Sequence, residues 1–222
     1  MGRQNVMPLE TINLLSEGLI GYRDGWERQR ARVAARIAGD VPDGVILLEH
    51  TPVVTYGKTA KPEFRLLSEA EYAAQGIELV ATDRGGDVTY HGPGQLTGYP
   101  IVHLGEGKRD LHRYVWTLEE ALIQTASEFG VAAGRVDFHA GVWTERGGYL
   151  AAIGVRVQRW VTHHGFGLNV ENQVHTGFET IVACGQTGRQ VVSLSAEAGT
   201  ALSLQEVAEV AARHLSHLLP FD

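Results

Sequence analysis

The sequence predicts an α/β domain built on a mixed, mostly antiparallel sheet flanked by helices, and three observations predict it. Short runs rich in β-branched and aromatic residues come in clusters, not in strict alternation with helices. Stretches with apolar residues at helical spacing lie between the clusters, and capping boxes mark where several begin. No internal repeat and no low-complexity linker interrupts the 222 residues, so a single domain over 1–222 is expected.

In chain order, Tyr22 to Ala38 reads as a helix with Gly39 placed to stop it. Two β-forming runs follow, Val45–Glu49 and Val53–Tyr56, separated by His50-Thr51-Pro52. Three further helices are expected where Ser68 precedes Glu71, Thr117 precedes Glu120 and Ser203 precedes Glu206. In each pair a hydroxyl accepts from an orphan N–H and the glutamate reaches back. Gly76, Gly130 and Pro220 are the corresponding stops. Strands are expected at Ile77–Ala81, Val88–Tyr90, Gly98–His103, Val142–Glu145, Tyr149–Gln158 and Gly165–Val170. Arg146-Gly147-Gly148 is a tight connection, which makes Val142–Gln158 a hairpin.

Composition narrows the function classes. Hydrophobic residues make up 44% and charged residues 20%, the usage of an ordinary soluble protein. Net charge is -7 with no run of Lys or Arg, which argues against nucleic acid as a partner. One cysteine leaves no internal disulfide and no multi-cysteine zinc site. No apolar stretch has the length of a membrane span, and Met1 to Glu10 lacks the pattern of a secretory signal, so a cytoplasmic address is expected.

The segment densest in chemistry is Arg84-Gly85-Gly86-Asp87-Val88-Thr89-Tyr90-His91-Gly92-Pro93-Gly94-Gln95. Its glycines let backbone amides approach a ligand, Arg84 offers a cationic fork and His91 a proton donor or acceptor. The plainer reading is a hairpin with a Gly-rich turn and a structurally bonded His. The spacing fits neither a phosphate loop nor a dinucleotide fingerprint. Cys184, followed by Gly185, is either a nucleophile or a small buried hydrophobe. His163 and His164 are adjacent on a strand, so they are expected on opposite faces and unsuited to one metal ion. With no carboxylate or cysteine at ligand spacing, neither a metal nor a cofactor is expected.

The stretch from Arg84 to Pro100, RGGDVTYHGPGQLTGYP, resembles the signature of the octanoyltransferases of lipoate biosynthesis. Ala151-Ala152-Ile153-Gly154-Val155-Arg156 resembles the family's second block, His164-Gly165-Phe166-Gly167-Leu168-Asn169-Val170 its third, and Ala183-Cys184-Gly185 the block that holds its nucleophile. The blocks follow in order from about Leu47 to Leu194. The resemblance implies a fold related to biotin and lipoate ligases, working as a monomer. It implies that Cys184 takes an octanoyl group from acyl carrier protein as a thioester. A lysine of a lipoyl domain, in a dehydrogenase complex or the glycine-cleavage carrier, then receives it as an amide, without ATP. The acyl pocket is expected to be lined by Arg84 through His91, Ala152-Ile153-Gly154 and Gly165-Phe166-Gly167. Arg156 and Arg159 are candidate contacts for the acidic carrier.

One position departs from the family pattern. Tyr149 stands where the family has a lysine that lowers the cysteine's pKa, and a neutral phenol supplies no positive charge. Either Tyr149 shuttles protons itself, or His91, His164 or Lys58 does the lysine's work, or the activity is weakened. Two rivals follow: an ATP-dependent lipoate-protein ligase, and a non-catalytic homologue that binds acyl chains or lipoyl domains.

Overall fold

The computed structural model describes residues 9–57, 60–105, 109–137, 139–182 and 190–219. Two short strands, β1 (Glu10–Asn13) and β2 (Leu19–Ile20), precede the helix α1 (Tyr22–Ala38). That helix ends as expected. Gly39 adopts φ 85°, and its N–H reaches back to the carbonyls of Ala35 and Arg36. Strands β3 (Gly44–His50) and β4 (Val53–Tyr56) follow, then helix α2 (Glu69–Ala74). Next come β5 (Glu78–Ala81), β6 (Val88–His91) and β7 (Gln95–Ile101). Helix α3 (Leu111–Glu128) leads into β8 (Ala133–Val136), β9 (His139–Thr144), β10 (Tyr149–Gln158) and β11 (Val161–Asn169). Helices α4 (His175–Phe178), α5 (Leu194–Ala198) and α6 (Leu204–Leu218) complete the order.

The strands form two sheets. The larger runs β1-β3-β7-β11-β10-β9-β8, with β2 also paired to β3. Only β1 and β2 are parallel to β3, so the sheet is mixed and mostly antiparallel, as the sequence predicts. The smaller runs β5-β4-β6. The two runs around Thr51-Pro52 therefore belong to different sheets.

One face of the large sheet is closed by α3 and α6. Leu118, Leu122, Val207 and Leu215 pack there against Leu47, Leu96, Leu150 and Leu168. On the other face, Val33 of α1 packs on Ile46, Leu48 and Ile101. At its first turn α1 turns to the smaller sheet, where Tyr22 meets Val53 and Val80. The far side of the smaller sheet is covered by Tyr72 of α2 and Phe178 of α4. Helix α1 thus touches both sheets, and a gap remains between them beside it.

Some expectations need correction. The capping pair Thr117–Glu120 opens no helix, because α3 already starts after Asp110, whose carboxylate accepts from the Arg113 N–H. Thr117 sits inside it, its hydroxyl bonded back to the Arg113 carbonyl at 2.8 Å. The pairs Ser68–Glu71 and Ser203–Glu206 do form capping boxes. Pro220, the expected stop of α6, lies outside the described residues. Strand β7 begins at Gln95 and β11 at Val161, both earlier than expected. The hairpin β10–β11 carried no turn signal, since Arg159 and Trp160 make its turn at φ 48° and 63° without glycine or asparagine.

Candidate functional site

The cleft between the sheets is narrow, with a cavity volume of about 40 Å³, and it opens to solvent. Three segments distant in sequence meet around it. The loop before β6 and β6 itself bring Arg84, Gly86, Asp87, Val88, Thr89 and His91. Strand β10 brings Ala152, Ile153 and Gly154. Strand β11 brings His164, Gly165, Phe166 and Gly167. Two aromatic walls were not anticipated, Tyr22 from α1 and Tyr99 from β7. They are 1% and 3% exposed and form the deep end, while Gly85 and Gly86 are exposed at the rim. No motif marked these tyrosines; only the packing of α1 across both sheets brings them in.

Gly85 and Tyr90 are not wall residues. Gly85 ties the loop to β10 by donating its N–H to the Val155 carbonyl at 3.1 Å. Tyr90 points to the far side of the smaller sheet, against Phe178, where Gly92 and Gly177 leave room for its ring. Close approach explains other glycines of the signature. A Cβ on Gly165 would overlap the Gly98 carbonyl oxygen of β7, and one on Gly98 would overlap the Phe166 ring.

The polar groups of the cleft are held in place. Arg84 is buried, with Nη2 donating to the Thr55 carbonyl at 2.8 Å and Nη1 to the Gly85 carbonyl at 3.0 Å. Its guanidinium therefore braces the loop. Asp87 accepts from the N–H groups of Lys61 and Val88, fixing the next turn. His91 Nδ1 lies 2.7 Å from Gln95 Oε1, and the Gln95 amide donates to Asn169 Oδ1 and the Tyr90 carbonyl. Gln95 Oε1 must therefore accept, so His91 carries its proton on Nδ1 and keeps a lone pair on Nε2. Below it, His50 Nδ1 donates to the Ile20 carbonyl at 2.8 Å and Nε2 accepts from the Tyr99 hydroxyl at 2.6 Å. Burial pushes His50 down to about 4 and His91 to about 3, the latter helped by the nearby charge of His50.

The histidine pair behaves differently from the expectation. His164 has φ 56°, in the left-handed region, so the strand alternation breaks there. Both rings come to the same side and stack with centroids 4.8 Å apart and an interplanar angle of 28°. His164 Nε2 donates to Asp83 Oδ1 at 2.8 Å, and the other Asp83 oxygen accepts from Arg156 at 2.7 Å. A carboxylate does stand beside the pair, invisible in the sequence because 81 positions separate it from His164. Ligand atoms of Asp83, His163 and His164 lie within 4.8 Å of one another. Both Asp83 oxygens are already engaged, one by His164 Nε2 and the other by Arg156. Burial holds His164 down to about 4, against the upward pull of Asp83. Burial raises the Asp83 carboxyl, but the His164 hydrogen bond and the charges of His164 and Arg156 outweigh it and bring it below its usual value.

Tyr149 is buried against Trp143, ring centroids 5.2 Å apart, and is not among the cleft-lining residues. A β-bulge between Tyr149 and Ala151 puts its ring on the same side as Ala152. Gly141 beside it has no room for a Cβ, which would lie 2.6 Å from the Ala151 carbonyl oxygen and 3.2 Å from the Trp143 and Tyr149 rings. Arg156, a candidate docking residue, is engaged with Asp83, and Arg159 lies in the β10–β11 turn. Cys184 and Lys58 lie outside the described residues. No helix among the described residues is long and apolar enough to cross a membrane.

A family model described as the lipoyl protein ligase A/B catalytic domain matches residues 21–216. The fold is shared with a solved lipoate-protein ligase A bound with ATP, TM-score 0.74 at 15% identity over 97% of this chain and 87% of that one. It is shared also with a bipartite lipoate protein ligase from Thermoplasma acidophilum, TM-score 0.71 at 16% identity over 96% and 85%. The chain belongs to the lipoyl protein ligase A/B catalytic-domain family. Within it, the chain falls with the octanoyltransferases, which are acyltransferases. It is 44% identical to an octanoyltransferase of Chloroflexus aurantiacus over 203 residues, covering 90% of this chain and 91% of that protein. A Geobacter metallireducens octanoyltransferase is 47% identical over 191 residues, covering 86% and 85%.

Proposed function

We propose that the protein transfers an octanoyl group from acyl carrier protein to a lysine of a lipoyl domain, through a thioester on Cys184. The observation that carries the reading is the cleft itself. Its walls are built from the three segments in which the sequence resembles octanoyltransferases, and its deep end is formed by the rings of Tyr22, Tyr99 and Phe166. An eight-carbon chain placed there is stabilised by about 0.8 kcal/mol for each methylene removed from water. The thioester end of the chain would lie at the rim, where Gly86 is exposed. Thiol chemistry splits the transfer into two steps, and the donor thioester supplies the activation, so ATP is not needed. In this reading the substrate contacts are Arg84, Gly86 to Thr89 and His91, with Ala152 to Gly154 and Gly165 to Phe166 and Gly167. Gly85 and Tyr90 support them, and Tyr149 occupies the position of the family's lysine without its charge.

The test is to mix the protein with octanoyl-acyl carrier protein, without ATP, and record its intact mass. A hydroxylamine-labile octanoyl adduct on Cys184, discharged by a lipoyl domain, is expected. An adduct absent on folded protein and still absent in Tyr149→Lys, or lipoate-dependent ATP–pyrophosphate exchange, would overturn the reading. Without an adduct, Tyr149→Lys decides whether the missing lysine is the cause.

A further inference from the structure

Four aromatic rings from four separate elements meet at the closed end of the cleft. Tyr22 of α1, His91 of β6 and Tyr99 of β7 line it, and His50 of β3 packs against all three from behind. The Tyr22 ring is 5.2 Å from His50 and 6.0 Å from His91, centroid to centroid. His50 is 5.9 Å from both His91 and Tyr99. All four are almost inaccessible, the most exposed being His91 at 7%. The opposite end of the cleft is the rim, where Gly86 is exposed.

The rings are held in place. Tyr99 donates its hydroxyl to His50 Nε2 at 2.6 Å, and His50 Nδ1 donates to the Ile20 carbonyl of β2 at 2.8 Å. His91 Nδ1 donates to Gln95 Oε1 at 2.7 Å, and Tyr22 packs on Val53 and Val80 of the smaller sheet. Helix α1 backs the cluster so closely that a Cβ on Gly25 would lie 2.8 Å from the His50 ring. Tyr99 therefore swings aside only by leaving a buried nitrogen of His50 unpaired, which costs free energy. The cluster is also uncharged at neutral pH, since burial holds His50 at about 4 and His91 at about 3. Along the sides of the cleft, Ile153 and Phe166 offer plain apolar surface.

We propose that this ring cluster is the stop against which the methyl end of the acyl chain rests, with Tyr99 limiting chain length and His50 its positioning residue. The inference rests on the proposed function and narrows its substrate class to unbranched chains up to a fixed length. Orientation follows from the donor. A carrier protein does not fit a cavity of about 40 Å³, so the carrier end stays at the rim and the methyl end leads. A cavity this narrow suits an unbranched chain lying along it better than a ring or a branched group. A chain that is too short leaves the space against the rings unfilled and forgoes the gain from burying each missing methylene. A chain that is too long must push Tyr99 off its bond to His50 or draw its thioester away from the rim. These opposed penalties set a preferred length, whereas an open-ended groove sets only a lower limit.

The test compares chain lengths on one protein. Loading of octanoyl, decanoyl and dodecanoyl groups from acyl carrier protein is followed by intact mass, and binding of the three free fatty acids by calorimetry. Wild-type protein is expected to favour eight carbons in both. Tyr99→Leu shortens the stop and keeps it apolar. Its decanoyl-to-octanoyl ratio is expected to rise by about tenfold or more, the scale on which an apolar pocket discriminates one methylene. Tyr99→Phe keeps the ring but releases it from His50, so its ratio is expected to rise by less. Rates are compared at equal fraction folded, where a merely structural defect lowers all three lengths alike. An unchanged ratio in Tyr99→Leu, or equal loss at every length, overturns the inference; an unchanged ratio in Tyr99→Phe overturns the role of His50. Protein that binds fatty acids with this cut-off but never loads overturns the proposed function alone. Protein that loads all three lengths equally overturns the length limit alone.

Discussion

The two faces of the large sheet are built from opposite materials. Under α3 and α6 the buried contacts are mainly aliphatic, with Leu118, Leu122 and Leu215 completely inaccessible and Thr117, Glu119 and Thr125 the buried polar groups of α3. Under α1 and the smaller sheet the buried side chains include Gln29, His50, His91, Arg84, Gln95, His163 and His164. Burying such groups costs free energy unless each finds a partner, and most of them do. His163 does not, as neither of its ring nitrogens has a partner among the described residues. The lesson is a division of labour across a single layer of strands. One face stabilises the fold, and the other bears polar groups at some cost to stability because chemistry needs them in a dry, fixed place.

The strongest test of that division is a deletion on the aliphatic face. Leu122→Ala removes a fully buried side chain from the α3 packing and is expected to cost about 2–5 kcal/mol in urea unfolding. Protein that remains folded should still load octanoate at its normal rate. A loading defect disproportionate to the stability loss would mean that the two faces are mechanically coupled.

A smaller loss of stability with a larger loss of function is expected from the other face. Gly165→Ala places a methyl group against the Gly98 carbonyl, where β11 and β7 lie beside the cleft. The overpacking is expected to cost about 1–3 kcal/mol, because backbone rather than a flexible side-chain end must move. Acyl loading should fall more steeply than in Leu122→Ala at matched stability. Comparing loading rates at equal fraction folded checks this.

The histidines add a pH signature to the polar face. Burial holds His50 at about 4, His91 at about 3 and His164 at about 4 in the folded protein. Unfolded, each returns to about 6.5 and binds a proton more readily. The unfolded state therefore gains protons as the pH falls from about 6.5 toward 4, and stability should decline through that window while remaining full above it. Asp83, lowered in the folded state, acts in the same sense at more acid pH. Urea midpoints measured from pH 7 to pH 4 check the slope, and a flat profile would mean that these imidazoles are more hydrated than their burial indicates.

Much of the architecture was legible because it follows from local chemistry. Helix α1 was bounded to the residue by its periodicity and Gly39, and two capping boxes located α2 and α6. What escaped notice depends on partners far away or on conformations no residue type advertises. The edge strands β1, β2 and β8 are short and one-sided, and the turn at Arg159-Trp160 uses left-handed residues that are neither glycine nor asparagine. The cleft segments were readable from their motifs, whereas Tyr22 and Tyr99 enter it only through packing. Asp83 was missed although it stands next to Arg84, because its partner His164 turns toward it through a backbone angle that the strand pattern argued against.

The finest test uses the same chemical device on both sides of the comparison. Ser203 caps α6 on the aliphatic face, and Ser68 caps α2 behind the smaller sheet, each with a reciprocal glutamate. Replacing either serine with alanine removes one side-chain acceptor from a helix N-terminus and is expected to cost about 1 kcal/mol. Helix α2 is short, but Tyr72 anchors it by donating its hydroxyl to the Thr180 carbonyl at 2.7 Å within a separate buried cluster. If the smaller sheet folds as one unit with the large one, both variants should lower the global urea midpoint equally. If instead it opens on its own, Ser68→Ala should leave that midpoint almost unchanged and speed amide exchange in α2, β4 and β6. The second pattern would give the cleft a wall able to open by itself, a route by which a bulky acyl donor gains entry without disturbing the aliphatic core.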